Sequence, residues 1–310
     1  MTLSAPLITI VIPTFKRPKD LTRLLNSIDA DLGQRDDTAI IVADNDVAET
    51  ARKAVETFAA ETGRSVDYRV APEPGVSNAR NVGMSGVHSR YVLFLDDDME
   101  VVPPYLEPIL KTSRDLGTAL TFAPAIAALP AGTEMLERWL SPLFSRVVEG
   151  DTRVIEETLG TGGCLVDLKG VSLPSPIFDP ALNEVGGEDD AFFAHIIAQG
   201  GTVGWCANTK AWEHVPPHRA TPSYLWRRHF AFGQTPTREA ADRGLRGWPE
   251  IGKWTLIGGA QTLIHGPLYL LHRLLKRPSR IGHFGRLAQG LGKIFWWDGL
   301  SPRLYGSKAR

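Results

Sequence analysis

The first 130 residues alternate strand and helix signals, and this alternation restricts the fold more than any other feature of the sequence. Leu7–Ile12 is apolar and rich in β-branched residues, which is typical of a strand buried on both faces. Apolar residues then recur with helical spacing over Pro18–Ala30. The alternation continues with predicted strands at Ala39–Ala43, Val66–Val70 and Tyr91–Leu95 and predicted helices over 51–58 and Ser77–Gly86. This rhythm predicts an α/β fold with a doubly wound sheet.

Polar side chains follow three of the predicted strands, at the point where each strand ends. Pro13–Pro18 comes after the first strand, Asp44–Asp46 after the second, and Asp96–Asp98 after Tyr91–Leu95. Doubly wound sheets bind their ligands at the carboxyl ends of their strands. One acidic residue there would indicate only a turn or a helix cap, but three polar clusters at three strand ends indicate a functional site.

The Asp96–Asp98 triplet is the most chemically specific of these clusters. Three adjacent carboxylates repel one another unless a cation neutralises them. Mg²⁺ and Mn²⁺ prefer oxygen ligands and commonly join one or two carboxylates to substrate phosphates. A metal held in this way would act as a Lewis acid on a departing diphosphate. A solvated acidic loop is the ordinary alternative, and the buried strand before the triplet argues against it.

A second acidic group, Glu188–Asp190, follows Gly186 and Gly187 and precedes apolar residues with helical spacing. In the first turn of a helix, such carboxylates complement the helix dipole, an effect of only about 0.3–1 kcal/mol. The functional alternative is a general base that takes a proton from an acceptor hydroxyl. This segment alone leaves both interpretations open.

Charge is distributed unevenly along the chain, although 34 Lys and Arg against 35 Asp and Glu give a net charge of −1. Residues 216–310 carry 16 basic and 4 acidic side chains, a net charge of +12, and residues 1–215 carry a net charge of −13. This asymmetry indicates a face for an anionic partner, with a solvated basic tail as the alternative. A composition of 43% hydrophobic and 22% charged residues excludes disordered and collagen-like chains.

Trp254–Leu275 is the most apolar long segment, but it contains Gln261, His265 and Arg273. It therefore suits a helix that lies on a bilayer surface, or one that packs on the domain, better than a helix that crosses the bilayer.

We find no secretory signal. The two cysteines, Cys164 and Cys206, are predicted to be buried, reduced thiols.

With these residues in place, the sequence resembles the family 2 glycosyltransferases, which are inverting enzymes of GT-A fold. The resemblance extends from Ile8 to about Gln234 and is most specific in Ile12–Pro18, Val42–Asp46, Phe94–Asp98 and Gly187–Asp190. Within the family, the chain is most similar to bacterial exopolysaccharide glucosyltransferases of succinoglycan type. The segments that indicate this are Ser77–Asn81, Gly186–Phe193, Ala211–His214 and Gly233–Thr235.

The resemblance implies a GT-A, Rossmann-like mixed sheet flanked by helices. We expect this glycosyltransferase domain over residues 1–235, with the nucleotide-binding half at about 1–130 and the acceptor half at about 131–235. Residues 236–310 are expected to form a helical, basic, amphipathic extension that associates with membranes.

The resemblance also implies roles for single residues. Asp189 matches the catalytic base, with Glu188 beside it, and Asp98 matches the metal ligand of the DxD motif, to which we add His214. Asp44 matches the uracil contact and Asp96 the carboxylate near the ribose. The complete set assigned to the nucleotide and donor is Pro13, Thr14, Arg17, Asp44, Asn78, Arg80, Asp96, Asp97 and Arg228. Around Arg228 the chain lacks the full Gln/Arg/Trp pattern of the polymerases, which argues against processive polymerisation.

The implied function is transfer of a hexose, glucose, from a UDP-sugar to an acceptor hydroxyl on a lipid-linked oligosaccharide, with Mn²⁺ or Mg²⁺ as cofactor. The extension would hold the enzyme against anionic lipid at the inner face of the plasma membrane, in the cytoplasm, and we expect no nucleic-acid partner. One alternative is a sugar-nucleotide nucleotidyltransferase, although the loop Pro13–Pro18 lacks the glycines that would cradle phosphate. The other alternative is a non-catalytic, membrane-docked relative.

Overall fold

The computed structural model describes residues 6–183 and 186–302, with the Asp298 side chain left out, so the end of the predicted extension, 303–310, lies outside the described residues. The chain forms two compact units. Unit 1 comprises Met1–Ala128 and Phe144–His214, and unit 2 comprises Leu129–Leu143 and Val215–Arg310. The expected boundary at residue 235 lies within a helix of unit 2, and the domain assignment stays a prediction.

The strands of the chain are β1 (Ile8–Thr14), β2 (Thr38–Asp44), β3 (Val66–Val70), β4 (Tyr91–Phe94), β5 (Met99–Val102), β6 (Leu120–Phe122), β7 (Ala125–Ala128), β8 (Arg153–Ile155), β9 (Cys164–Asp167), β10 (Val203–Trp205) and β11 (Lys210–His214). The helices are α1 (Pro18–Leu32), α2 (Arg52–Thr62), α3 (Val76–Met84), α4 (Leu106–Leu116), α5 (Glu134–Phe144), α6 (Glu188–Ala198), α7 (Pro222–Asp242), α8 (Trp248–Leu274) and α9 (Arg280–Ile294). Short 3₁₀ turns lie at Pro180–Leu182, Gly244–Gly247 and Asp298–Leu300.

Unit 1 is built on a mixed sheet in the order β3-β2-β1-β4-β9-β6-β10-β8. The four strands from β3 to β4 are parallel, β9 runs antiparallel to both β4 and β6, and β8 runs antiparallel to β10. A second sheet has the order β5-β11-β7. The predicted α/β class with a mixed sheet is therefore confirmed.

Apolar periodicity explains how the predicted elements form. Every residue of β1 is buried, and α1 begins with Pro18 at its first turn, where a missing N–H costs nothing, and buries its leucine and isoleucine face. Thr14 is paired with Asp44 across β1 and β2, so these strands end at the same edge of the sheet. Both cysteines are buried and unbonded, as predicted.

Helix α3 begins at Val76, one residue before the predicted start at Ser77. Gly75 precedes the helix with a φ of 123°, and a Cβ at that position would lie 2.2 Å from the side chain of Asn183. The Asn183 Oδ1 atom accepts a hydrogen bond from the Ser77 N–H at 2.9 Å. A residue distant in sequence thus caps this helix.

Unit 2 is helical, and glycines allow its helices to pack closely. A Cβ on Gly292 of α9 would lie 2.1 Å from the carbonyl oxygen of Phe230 in α7. A Cβ on Gly258 of α8 would lie 2.6 Å from the carbonyl oxygen of Gly290. Larger side chains would separate these helices. In the described part of the chain, no helix has the length and apolar character needed to cross a bilayer.

Candidate active site

The Asp96–Asp98 triplet follows β4 and is tied to the end of β1. Asp97 is buried, and its Oδ2 accepts a hydrogen bond from the Thr14 hydroxyl at 2.8 Å. Arg17 bridges the carboxylates of Asp97 and Asp98 at 3.0 and 2.9 Å. Burial raises the pKa of Asp97 to about 7, with Arg17 lowering it and the carboxylate of Asp98 raising it further. Two of the predicted strand-end clusters therefore meet through Arg17.

Arg80 of α3 joins the acidic triplet to the second acidic group. Its guanidinium is buried and lies 2.8 Å from the carboxylate of Glu188 and 3.4 Å from that of Asp96. The same guanidinium stacks over the ring of Phe178 at 5.4 Å, and its Nε has no hydrogen-bond partner among the described residues. Arg80, which was predicted to contact the nucleotide, thus links two acidic clusters that are far apart in sequence.

A glycine loop over residues 160–163 runs between the two acidic groups. A Cβ added to Gly162 would lie 2.5 Å from Oδ2 of Asp96, and one added to Gly160 would lie 3.3 Å from Oδ2 of Asp189. Thr161 between them is 2% exposed, and its hydroxyl has no hydrogen-bond partner in the described chain. Sequence reasoning missed this loop, although two glycines flanking a threonine were a visible signal.

Asp189 and Glu188 begin α6 but have different partners. Glu188 is held by Arg80, whereas Asp189 forms no ion pair with any residue that the structure describes. Its Oδ1 accepts a hydrogen bond from the Asp190 N–H at 3.0 Å, and Oδ2 faces Gly160. Burial and the Asp189 carboxylate raise the pKa of Asp190. Oδ2 of Asp189 is therefore the carboxylate oxygen that could accept a proton.

Arg146 and Glu213 complete the cluster and were not predicted. Arg146 lies 2.6 Å from the carboxylate of Glu213 and donates to the Gly162 carbonyl at 3.2 Å. Burial raises the pKa of Glu213 to about 7; Arg146 lowers it, and the carboxylates of Asp98 and Asp96 raise it further. Arg146 had no motif around it, but the position of Glu213 beside His214 was a usable signal.

The remaining predicted site residues are engaged elsewhere. Asp44 is fully buried, and its carboxylate accepts hydrogen bonds from Asp46, Ala51 and Tyr68. Its expected contact with uracil stays a prediction, because all of these bonds are made to the protein itself.

Three further residues with predicted roles lie away from the linked carboxylates or outside unit 1. Pro13 lies within β1, and the Asn78 amide donates to the Pro74 carbonyl at 3.0 Å. Arg228 lies on α7 of unit 2, so its predicted diphosphate contact also stays open.

The cluster has the donor chemistry that a hard divalent ion requires. Six carboxylates (Asp96, Asp97, Asp98, Glu188, Asp189 and Glu213) accompany three guanidinium groups (Arg17, Arg80 and Arg146) in unit 1. Like charges contribute to the raised pKa values of Asp97 and Glu213, so a further cation would be stabilised here.

The two predicted metal ligands are neighbours, since the His214 N–H donates to the Asp98 carbonyl at 2.8 Å, and the His214 ring contacts the Glu100 carboxylate at 2.6 Å. Among residues 6–183 and 186–302, no three His, Cys, Asp or Glu side chains form a metal-binding group. A metal held by Asp98 and His214 would therefore need further ligands, such as substrate phosphates, and this site stays a prediction.

Several known proteins are similar to this chain in sequence. The family model for glycosyl transferase family 2 matches residues 9–163. The chain is 32% identical over 245 residues to the succinoglycan biosynthesis protein ExoM of Rhizobium meliloti, which covers 77% of each chain. It is also 28% identical over 111 residues to a validoxylamine A glucosyltransferase of Streptomyces hygroscopicus subsp. jinggangensis, which covers 35% of this chain and 26% of that one.

Solved structures of the same fold include TarS of S. aureus. Residues 1–349 of TarS in complex with UDP match with a TM-score of 0.54 at 16% identity, covering 92% of this chain and 90% of that one. The same part of TarS without a named ligand matches with a TM-score of 0.53. These matches confirm the predicted GT-A fold. Together with the family model and the similarity to ExoM, they show that the chain belongs to the family 2 glycosyltransferases.

Proposed function

We propose that the protein is an inverting transferase that moves glucose from UDP-glucose to a hydroxyl of a lipid-linked oligosaccharide, in exopolysaccharide or cell-surface glycan synthesis. The similarity to a succinoglycan biosynthesis protein supports the product class. The UDP complex of the structural relative TarS supports the nucleotide. The resemblance to succinoglycan-type glucosyltransferases supports the sugar.

One observation carries the proposal: the carboxylates of Asp189 and Asp96 lie over the same glycine loop, and Asp189 has no cationic partner among the described residues. Glu188 is neutralised by Arg80, so it is the poorer proton acceptor. Asp189 is therefore the general base, and glycine at positions 160 and 162 allows the loop to approach both carboxylates closely.

The chain's own residues then account for the reaction. Asp189 takes the proton from the acceptor hydroxyl as its oxygen attacks the anomeric carbon, on the face opposite the departing UDP, which inverts the configuration. Arg17, Arg80 and Arg146 supply positive charge to the diphosphate side of the cluster. A divalent ion bound through Asp98 and His214 would add Lewis-acid stabilisation of the leaving diphosphate.

The enzyme would work at the inner face of the plasma membrane, in the cytoplasm, through the basic C-terminal extension. Arg273 at the end of α8, Lys276 and Arg277 in the following turn, and Arg280 at the start of α9 are basic, and α8 exposes several leucines. Basic residues beside exposed apolar side chains favour anionic lipid surfaces. This peripheral attachment is part of the proposal.

The test replaces Asp189 by Asn and compares it with Asp190→Asn at the next, exposed position. We expect Asp189→Asn to lower sugar transfer about 10²–10⁴-fold, the usual contribution of a general base, without changing the affinity for UDP. Asp190→Asn should retain transfer. Normal turnover in Asp189→Asn would contradict the assignment of the base.

The sugar and the cofactor need separate measurements. A panel of nucleotide sugars with a lipid-diphosphate acceptor, with product masses recorded with and without Mn²⁺, identifies the donor and the metal dependence. Asp98→Ala should weaken donor binding only where the metal is present. UDP binding without transfer to any acceptor would indicate a non-catalytic relative, and formation of UDP-sugar from UTP and a sugar phosphate would indicate a nucleotidyltransferase.

A further inference from the structure

Unit 2 contains a cavity of about 550 Å³ that no step of the proposed reaction uses. It is lined by residues of α5, α7, α8 and α9, and Leu136, Leu225, Ile281 and Phe284 supply much of its apolar wall. Its volume falls in the range of about 300–1,000 Å³ that is usual for small-molecule sites. None of the residues that line it belongs to unit 1.

Two arginines line this otherwise apolar cavity. Arg273 lies in the last turn of α8, and Arg280 is the first residue of α9. In the part of the chain that the structure describes, neither side chain forms an ion pair or a hydrogen bond. The sequence contains no Asp or Glu between Glu250 and Asp298, so nothing nearby along the chain neutralises them. The cavity is thus apolar in its walls and positively charged at one side.

Exposed apolar side chains lie on the same stretch of α8. Leu270, Leu271 and Leu274 are 58%, 49% and 81% exposed, and Leu275 directly after the helix is also exposed. Such a group of leucines beside basic residues is typical of helices that lie in the headgroup region of a bilayer. Arg273 of the cavity lies on this stretch of α8, so a ligand that is itself part of a membrane suits the site.

We propose that this cavity binds the lipid carrier of the acceptor, namely one hydrocarbon chain that ends in a diphosphate. Each guanidinium can bond two phosphate oxygens, and the apolar walls accept the first carbons of the chain. A lone inorganic anion would leave the apolar wall uncovered, and an uncharged lipid would leave both arginines unpaired. This inference rests on the lipid-linked acceptor of the proposed function.

Calorimetric titration of the full-length protein with farnesyl diphosphate tests the inference. Saturating UDP is present throughout, so that the probe does not occupy the nucleotide site. Inorganic diphosphate and farnesol are the matched probes for the head and for the chain. We expect both to bind at least about tenfold more weakly than farnesyl diphosphate, because each lacks half of the contacts.

A pair of double variants separates the cavity from general surface charge. Arg273→Gln with Arg280→Gln removes the arginines that line the cavity, and we expect at least about tenfold weaker binding of farnesyl diphosphate. Lys276→Gln with Arg277→Gln removes the same charge from exposed positions in the same turn and should change this affinity by less than about twofold. Arg273, Lys276 and Arg277 are exposed and Arg280 is partly exposed, so the fold should be retained.

Several outcomes would overturn the inference. These are farnesol or inorganic diphosphate binding as tightly as farnesyl diphosphate, or equal losses in the two double variants. The inference and the proposed function also fail separately. Sugar transfer to a soluble oligosaccharide without any binding of farnesyl diphosphate contradicts only the cavity. Binding of farnesyl diphosphate without transfer to any acceptor contradicts only the reaction.

Discussion

The two units differ in where they place their charged side chains. Unit 1 places Arg17, Arg80 and Arg146 among carboxylates at the carboxyl ends of its strands, where several of these groups are buried. Unit 2 leaves Arg273 and Arg277 at the surface, beside exposed leucines and without a neighbouring acidic residue along the chain. Charges buried together interact strongly and at fixed positions, whereas exposed charges are weak and screened by salt.

This difference matches the two kinds of partner in the proposed function. A nucleotide diphosphate and a metal ion are compact, highly charged ligands. Binding them requires charged side chains that are held at fixed distances from one another. A membrane presents its charge over an extended surface, so exposed basic residues suffice. Unit 1 should therefore respond to single substitutions, while the attachment of unit 2 to a membrane should respond to the number of charges that are removed.

The largest expected effect is on unit 1, from Arg146→Met. This change leaves the carboxylate of Glu213 without its cation, next to Asp96 and Asp98. Removing one partner of a buried ion pair costs about 3–5 kcal/mol, and we expect the lower end because both side chains are partly exposed. Thermal unfolding measures the loss. Arg153→Met, at an exposed position, is the control, and equal melting temperatures would show that the cluster tolerates an unpaired carboxylate.

The importance of Arg146 shows where sequence reasoning reached its limit. Local periodicity located β1 to β4 and α1 to α3 within a few residues, because each depends on side chains that are close in sequence. It also placed Asp189 and Glu188 at the start of α6. The contact between Arg146 and Glu213 spans 67 positions and has no period, so no local pattern reports it.

Asp44 is a residue whose location was predicted correctly but whose partners were not. Its position after a buried strand correctly indicated the edge of the sheet, where the polar clusters meet. The structure adds that Tyr68 on β3 donates a hydrogen bond of 2.6 Å to its carboxylate. A strand-end acid can thus serve the fold, the ligand or both, and only its three-dimensional neighbours distinguish these roles.

The next effect sharpens the comparison on the side of unit 2. We expect Lys276→Gln with Arg277→Gln to weaken binding to vesicles with anionic lipid about 30-fold, since each basic residue near such a surface contributes about 1 kcal/mol. Sedimentation with vesicles at low and high salt measures this. UDP affinity should not change. Equal binding to neutral vesicles, or no effect of salt, would indicate that the attachment does not depend on these charges.

A smaller effect is expected from Gly162→Ala in the loop of unit 1. The added Cβ would lie 2.5 Å from Oδ2 of Asp96 and 3.1 Å from the Arg146 guanidinium, so both side chains must move. We expect UDP-sugar affinity to fall about tenfold, or about 1.4 kcal/mol, with the fold retained. Gly252→Ala in α8 has open space around its Cβ and should leave this affinity unchanged. Equal affinities in the two variants would show that the loop does not border the sugar.

The smallest effect concerns pH, and it is expected to have opposite signs in the two units. In unit 2, burial lowers the pKa of His265, and the charge of Arg286 lowers it further. Burial also lowers the pKa of His283, whose ring stacks 5.2 Å from that of His265, and the charges of His272, His265 and Arg286 lower it further. The unfolded chain therefore binds more protons as the pH falls below about 6.5, so acid destabilises unit 2. In unit 1, the pKa values of Asp97 and Glu213 are raised to about 7, so the folded state binds more protons between pH 4 and about 7 and acid stabilises it.

Calorimetry of the ligand-free protein between pH 7.5 and 5.5 tests this opposition. We expect the melting transition of unit 2 to fall by about 2–4 °C and that of unit 1 to rise. His283→Gln should flatten the response of unit 2, because it removes one imidazole whose pKa is lowered in the folded state, whereas His88→Gln, at an exposed position in unit 1, should not. Transitions that move in the same direction would mean that the buried charges of unit 1 do not set its response to acid, and the contrast between the units would then be one of fold alone.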